Sequence, residues 1–187
     1  MTVKQIHTES DCIYFITFSC YKWIPLIDLT SLHDHIYSWF KYLIEIQTKI
    51  VGFVIMPNHL HLLLYYPTSH KSINTVVGNG KRFMAYEIIR RLNEKKMVNV
   101  LERLREGVTK HEVQRGKLHR VFNPSFDAKI CIDRSFVEQK LNYIHSNPVV
   151  GKWSLADDYA NYPHSSAGFY ELGNNSEVPI THYLDLL

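Results

Sequence analysis

The chain has 187 residues, enough for one domain with a real hydrophobic core, and an ordinary globular composition with many Tyr and Phe. No apolar run approaches the ~20 residues that span a bilayer, and MTVKQIHTESD at the start lacks the basic-then-apolar pattern of a signal peptide. The formal net charge of +3 is uneven: residues 80–120 hold 12 Lys/Arg against 5 Asp/Glu, and residues 153–187 hold 5 acids and no Lys or Arg. Such a split reads either as a flank for a polyanion or as a solvated helix face. Cys12, Cys20 and Cys131 show no C-x-x-C spacing, which fits a reduced, cytoplasmic protein.

In chain order, the aromatic and β-branched run Ile13–Cys20 predicts a strand. Leu32, Ile36, Phe40 and Leu43 recur at helical spacing and predict a helix over Leu29–Gln47. Ile50–Met56 predicts a second strand. Pro57 and Asn58 mark a turn, because proline presets φ and asparagine tolerates the left-handed region. His59–Tyr66 then pairs back as a third strand. A helix over Ser72–Leu92, weakened near Gly78 and Gly80, precedes a charge-rich helix over Val98–Glu106 and a loop marked by Gly107 and Gly116. Ser125–Ile132 is a short fourth strand. Arg134–Asn147 is a helix, opened by a Ser135/Glu138 capping box and stopped by Pro148. The tail beyond Gly151 carries Trp153, Tyr159, Tyr162, Phe169 and Tyr170 and is expected to pack back over the domain. This order of elements predicts an α/β (α+β) ferredoxin-like sandwich. It has an antiparallel sheet with helices packed on one face, a core over about 10–150, a helical insertion at about 93–120 and a C-terminal tail at 151–187.

Two segments carry chemistry. On a strand, alternate side chains share a face, so His59, His61, Leu63 and Tyr65 stand opposite the apolar set Leu60, Leu62, Leu64 and Tyr66. Two imidazoles on one face reach a common metal ion, or stand as two half-exposed histidines at a strand end. In the last helix, Val137, Leu141 and Ile144 form one stripe, and Phe136, Lys140, Tyr143 and Asn147 form another. The second stripe offers an ammonium, a phenol and an amide oxygen. On the residues alone Tyr143 reads first as a boundary aromatic with a solvated hydroxyl. His145, roughly 200° around the helix from Tyr143, is not placed among the ligands.

Together the segments are more specific. PNHLHLLL resembles the His-hydrophobic-His signature of HUH endonucleases. KLNYIHSNPVVGKW resembles the catalytic-helix motif of single-tyrosine HUH transposases, in particular the REP-associated tyrosine transposase group and its insertion-sequence relatives. YPHSSAGFY is similar to that group's C-terminal segment, and IYFITFSC to its opening strand. The resemblance covers most of residues 12–170. It implies that His59 and His61 are metal ligands and that Asn147 is the third. It implies Tyr143 as the nucleophile and Mg²⁺ or Mn²⁺ as the cofactor. The substrate would be single-stranded DNA, typically near a foldback hairpin, cut through a covalent 5′-phosphotyrosine link that a hydroxyl can reverse. The helical insertion and the longer tail fit the solitary REP-associated type, and either a monomer or a homodimer is compatible with them.

Lys140, one turn before Tyr143, is placed near the scissile phosphate or on the surface. Lys81, Arg82, Arg90, Arg91, Arg115, Lys117 and Arg120 are phosphate-contact candidates as a set. Two other function classes stay open at this point. One is a non-catalytic nucleic-acid-binding module on the same fold. The other is a metal-dependent hydrolase in which Tyr143 is incidental.

Overall fold

The computed structural model describes residues 9–67, 72–151 and 153–186. The first eight residues of the N-terminal stretch and Lys152 of the helix motif lie outside them. The strands are β1 (Cys12–Ser19), β2 (Lys49–Met56), β3 (His59–Tyr66) and β4 (Asp127–Cys131). They form one antiparallel sheet in the order β2-β3-β1-β4. This is the ferredoxin-like arrangement, in which the two central strands are β1 and β3. The register sets Thr17 opposite His61 and Ser19 opposite His59.

The helices are α1 (Leu26–Leu29), α2 (His33–Glu45), α3 (Ile73–Glu94), α4 (Val98–Glu106), α5 (Lys110–Gln114), α6 (Arg134–Ser146) and α7 (Ala167–Leu172). The helix expected from Leu29 starts at His33, because Ser31 at φ 51° breaks the chain between α1 and α2. α3 runs unbroken through Gly78 and Gly80. Gly80 is the contact point with α2: a Cβ there would sit 2.5 Å from the Trp39 indole. α5 falls in the stretch expected to be a loop and carries a capping box between Thr109 and Glu112. α6 opens differently from expectation. Asp133 caps it, accepting from Phe136 N at 2.8 Å, so the Ser135/Glu138 box does not form. Asn147 keeps helical angles despite the following proline, and the chain continues through one tight turn over Asn147–Val149.

The sheet has two covered faces. Tyr14, Ile16, Phe18, Leu60, Leu62 and Leu64 point into the larger core, under α2, α3 and the buried Leu101 and Leu104 of α4. The helical insertion is therefore part of the packing rather than an appendage. The opposite face carries Ile13, Phe15, Val54 and Leu63, covered by Val137, Leu141 and Ile144 of α6 and by Tyr162 of the tail. The expected layer of helices on one face is thus α2 and α3, and α6 adds a second layer on the other. Burying an aliphatic side chain fully is worth about 1.5–3 kcal/mol, so the Val137/Leu141/Ile144 stripe is what holds α6 down. Gly52, at a bulge in β2, makes room for it. A Cβ at Gly52 would meet Leu141 Cδ2 at 2.6 Å and Ser166 Oγ at 3.2 Å.

The tail packs back as expected and shields the free edge of β2. Ile55 N donates to His164 O at 2.8 Å, Ser166 N to Phe53 O at 2.9 Å and Thr181 N to Ile50 O at 2.8 Å. An open strand edge invites pairing with other chains, and a covering segment removes that hazard. Cys12, Cys20 and Cys131 are all free thiols. No helix among the described residues is long and apolar enough to cross a membrane.

Candidate active site: two histidines, a tyrosine and an amide

The α6 face of the sheet brings the sequence-predicted residues together. His61 and Tyr143 meet edge to face with ring centroids 5.2 Å apart, and His59 and His61 meet at 4.8 Å. His59 Nε2 and Asn147 Oδ1 stand 3.4 Å apart. All four come from one chain. Both histidines are more enclosed than a strand end suggests, at 8% and 4% exposure, while Tyr143 is 50% exposed. Phe15 stacks on His61 at 5.5 Å, and Trp23 meets His59 edge-on at 5.6 Å. Among the described residues the Tyr143 hydroxyl has no hydrogen-bond partner, so the phenol is free toward solvent.

The hydrogen bonds fix which imidazole nitrogen carries a proton. Asn58 Nδ2 donates to Trp23 O at 3.0 Å, which turns Asn58 Oδ1 toward His59 Nδ1 at 2.7 Å. An amide oxygen only accepts, so Nδ1 of His59 bears the proton and Nε2 is a bare lone pair. Asn147 Nδ2 donates to Tyr143 O at 2.8 Å, which turns its Oδ1 toward His59. Two lone pairs therefore face each other with no proton between them. His61 Nδ1 lies 2.7 Å from Thr17 Oγ1, and its Nε2 is buried without a partner. Burial drives His61 down to about 3, with His59 and Lys140 adding to the shift, and burial lowers His59 as well. Both rings are neutral at pH 7, the form that ligates a metal.

An unpartnered buried nitrogen and two facing lone pairs fit a cation better than they fit a closed hydrogen-bond network. His59 Nε2, His61 Nε2 and Asn147 Oδ1 are the groups to hold it. Among the described residues no group of three or more His, Cys, Asp or Glu is placed to hold a metal ion, and here the third group beside the two imidazoles is the Asn147 amide. With such an ion bound, Asn58 and Thr17 would stand one layer out, each orienting an imidazole through its far nitrogen. Sequence reasoning placed Asn58 in the turn only and passed over Thr17. The register signal for Thr17 is its place opposite His61 in β1.

The basic candidates divide. Lys140 Nζ lies over Phe136 at 4.8 Å and Phe15 at 5.1 Å, at the edge of the site. Arg90 pairs with Glu87 and Glu94, and Arg91 with Glu87 and Asp34. Lys117 and Arg120 share Glu112. Lys81 Nζ donates to Asn123 O and Ser125 O, both at 2.9 Å. Arg82 and Arg115 make no ion pair among the described residues. The seven are spread over α3 and the 115–120 loop, away from the α6 face. His145 lies on the other side of α6, with Nε2 2.8 Å from Ser166 Oγ, and takes no part in the site.

No family model matches the chain. No curated protein matches it either. Among solved structures it is similar to a REP-associated tyrosine transposase bound to a REP hairpin, with a TM-score of 0.58 and 13% identity over 97% of this chain and 96% of that one. A second, from Deinococcus radiodurans R1 and provisionally described as a transposase, aligns at TM-score 0.42 and 17% identity over 78% of this chain and 97% of its own. The resemblance to REP-associated tyrosine transposases that two sequence motifs carry is met, across almost the whole chain, by a shared fold.

Proposed function

We infer that this chain is a single-tyrosine DNA transposase or nickase of the REP-associated type, an enzyme that cuts and rejoins single-stranded DNA through a 5′-phosphotyrosine on Tyr143. The observation that carries this reading is the meeting of the free Tyr143 phenol with the His59/His61/Asn147 lone pairs on one face of the sheet. The REP hairpin held by the structural neighbour supports a single strand with a foldback hairpin as substrate. A monomer cutting in cis and a homodimer are both compatible with this site.

In the cleavage step the Tyr143 oxygen gives its proton to solvent and forms a bond to phosphorus. The 3′-oxygen of the preceding nucleotide leaves and takes up a proton, so one phosphoester is exchanged for another and no ATP is needed. Attack by a 3′-hydroxyl on the phosphotyrosine reverses the exchange and joins strands. A phenol with pKa near 10 is a weak nucleophile at neutral pH. A Mg²⁺ or Mn²⁺ ion would supply electrophilic help, neutralising charge on the phosphate and on the departing oxygen. The protein's part is orientation. α6 fixes Tyr143 beside His61, and Lys140 one turn earlier adds positive charge at the site's edge.

The test mixes the protein with labelled single-stranded DNA from the ends of its own locus, with Mg²⁺, Mn²⁺ or chelator. A denaturation-resistant protein–DNA band is expected with metal and absent for Tyr143→Phe. Cleavage retained by Tyr143→Phe would mean hydrolysis without a tyrosine link. Metal-independent binding with no band on any strand would mean a binding module.

A further inference from the structure

A second feature lies on the other side of the sheet. Between α3 and the 115–124 segment there is a cleft of about 610 Å³, with Lys81, Arg82, Arg115 and Lys117 around Tyr86 and Phe122. Its lining contains no acidic side chain. The Tyr86 ring is 64% exposed and Phe83 beside it is 54% exposed, with Arg82 over the Phe83 face at 5.1 Å. Arg82 and Arg115 have no carboxylate partner among the described residues. Lys81 is half-buried: its Nζ donates to two backbone carbonyls and lies over the Phe18 and Phe122 rings at 5.7 and 6.0 Å, and burial pulls it down to about 8. No carboxylate among the described residues pairs with it, so it adds positive charge to the wall. Tyr86 and Phe83 give open aromatic surface next to it. Basic side chains interleaved with open aromatic faces are the combination that single-stranded nucleic acid uses, phosphates on the cations and bases on the rings.

The cleft is tied to the active site. Asn123 in its lining donates from Nδ2 to Ser19 Oγ at 2.8 Å and from N to Ser19 O at 3.0 Å. Ser19 is the cross-strand partner of His59. The same end of β1 therefore borders both features.

We propose that this cleft is a second DNA site, which takes an unpaired stretch of the single strand flanking the cut, with phosphates on Arg82 and Arg115 and a base on Tyr86. The proposal rests on the reading of the chain as an enzyme of single-stranded DNA. It differs from that reading in being a matter of binding, remote from Tyr143.

Arg82→Gln/Arg115→Gln and, separately, Tyr86→Ala test it in the full chain; all three side chains lie outside the ion pairs and the core. Binding of a long single strand is followed by anisotropy across a salt series. Strands carrying 5-iododeoxyuridine beside the cut map the contact by cross-linking. Losing two phosphate contacts should lower the log–log salt slope by about 1.4. Losing one stacked base should weaken binding by roughly 5- to 150-fold. Covalent adduct on a short oligonucleotide covering only the cut should stay at the wild-type level in both variants, and cross-links should fall on Tyr86 or Phe83. Unchanged affinity and slope in both variants, cross-links elsewhere, equal affinity for a duplex of the same sequence, or a wild type that binds no single strand would each overturn the proposal. A wild type that binds and cross-links in the cleft but never forms an adduct would instead remove the enzymatic reading and leave the cleft standing.

Discussion

Asn58 and His59 are neighbours in sequence and partners in space: Asn58 Oδ1 accepts from His59 Nδ1 at 2.7 Å, with the Asn58 side chain buried. This bond fixes the imidazole tautomer and aims the bare Nε2 at Asn147. Asn58→Ala removes the acceptor and lets the ring turn and exchange tautomers. Outer-layer partners of metal-bound histidines are worth about 10- to 100-fold in affinity. The expected result is Mn²⁺ binding weakened by that factor in calorimetric titration, with adduct formation restored at high Mn²⁺. An unchanged Mn²⁺ affinity would show that Asn58 serves the turn alone.

Two imidazoles and an amide carry no negative charge, and Lys140 sits close enough to depress His61 further. A divalent ion held there would gain charge compensation only when a phosphodiester arrives. Metal and DNA should therefore bind with positive coupling, reciprocal by linkage and about 5- to 150-fold in size. Tyr143→Phe, which cannot react, allows the measurement: Mn²⁺ titrated with and without a single strand spanning the cut. Equal affinities would argue that the ion is already fully held by the protein.

Tyr143 is half-exposed and its hydroxyl bonds to nothing in the described structure. Tyr143→Phe should leave the unfolding free energy within about 0.5 kcal/mol of wild type and leave single-strand affinity intact, while the covalent band disappears. A large loss of stability would mean that the hydroxyl has a structural role.

Gly52 probes the site from beneath. Its missing Cβ is what lets Leu141 lie against β2. Gly52→Val forces α6 outward, at about 1–3 kcal/mol for overpacking, and carries Tyr143 and Asn147 away from the histidines although no site residue changes. Adduct formation should fall more than tenfold at a temperature where circular dichroism still shows a folded protein. Wild-type adduct levels in a folded Gly52→Val would place the control of Tyr143 elsewhere.

Much of this was legible in the residues. Strict alternation along HLHLLLYY puts the imidazoles on the face opposite Leu60, Leu62 and Leu64, and 3.6-residue periodicity separates Val137, Leu141 and Ile144 from Tyr143 and Asn147. Periodicity fixes which side chains share a face, but not what lies against that face. For that reason the second helical layer, made by α6, escaped the order of elements. The roles of Asn58 and Thr17 depend on hydrogen-bond direction, which has no periodicity. The pairing of Arg90, Arg91, Lys117 and Arg120 with Glu87, Glu94, Asp34 and Glu112 is partly i,i+3 and i,i+4 spacing within α3, and was readable there. The Glu112 and Asp34 links join separate segments and were not. In sequence, a charge count cannot tell a cation that is already paired from Arg82 or Arg115.

The tail contributes a pH dependence of its own. His164 stacks on His33 of α2 with centroids 3.7 Å apart, and its Nδ1 lies 3.2 Å from the Tyr37 hydroxyl. Burial, with His33 as a second cause, pushes His164 down to about 4, and burial also lowers His33. The unfolded chain therefore takes up protons near the ordinary histidine value of about 6.5, and the folded one only at lower pH. Stability from His164 is complete above pH 6.5 and is lost as pH falls toward 4, and His33, lowered by burial, acts in the same direction. Thermal unfolding followed between pH 7.5 and 4.5 should show Tm falling with acidification. His164→Gln keeps a polar partner for Tyr37 and cannot titrate, so its Tm should fall less steeply over the same range. Parallel curves for the two proteins would mean that His164 is protonated in the folded state as readily as in the unfolded one.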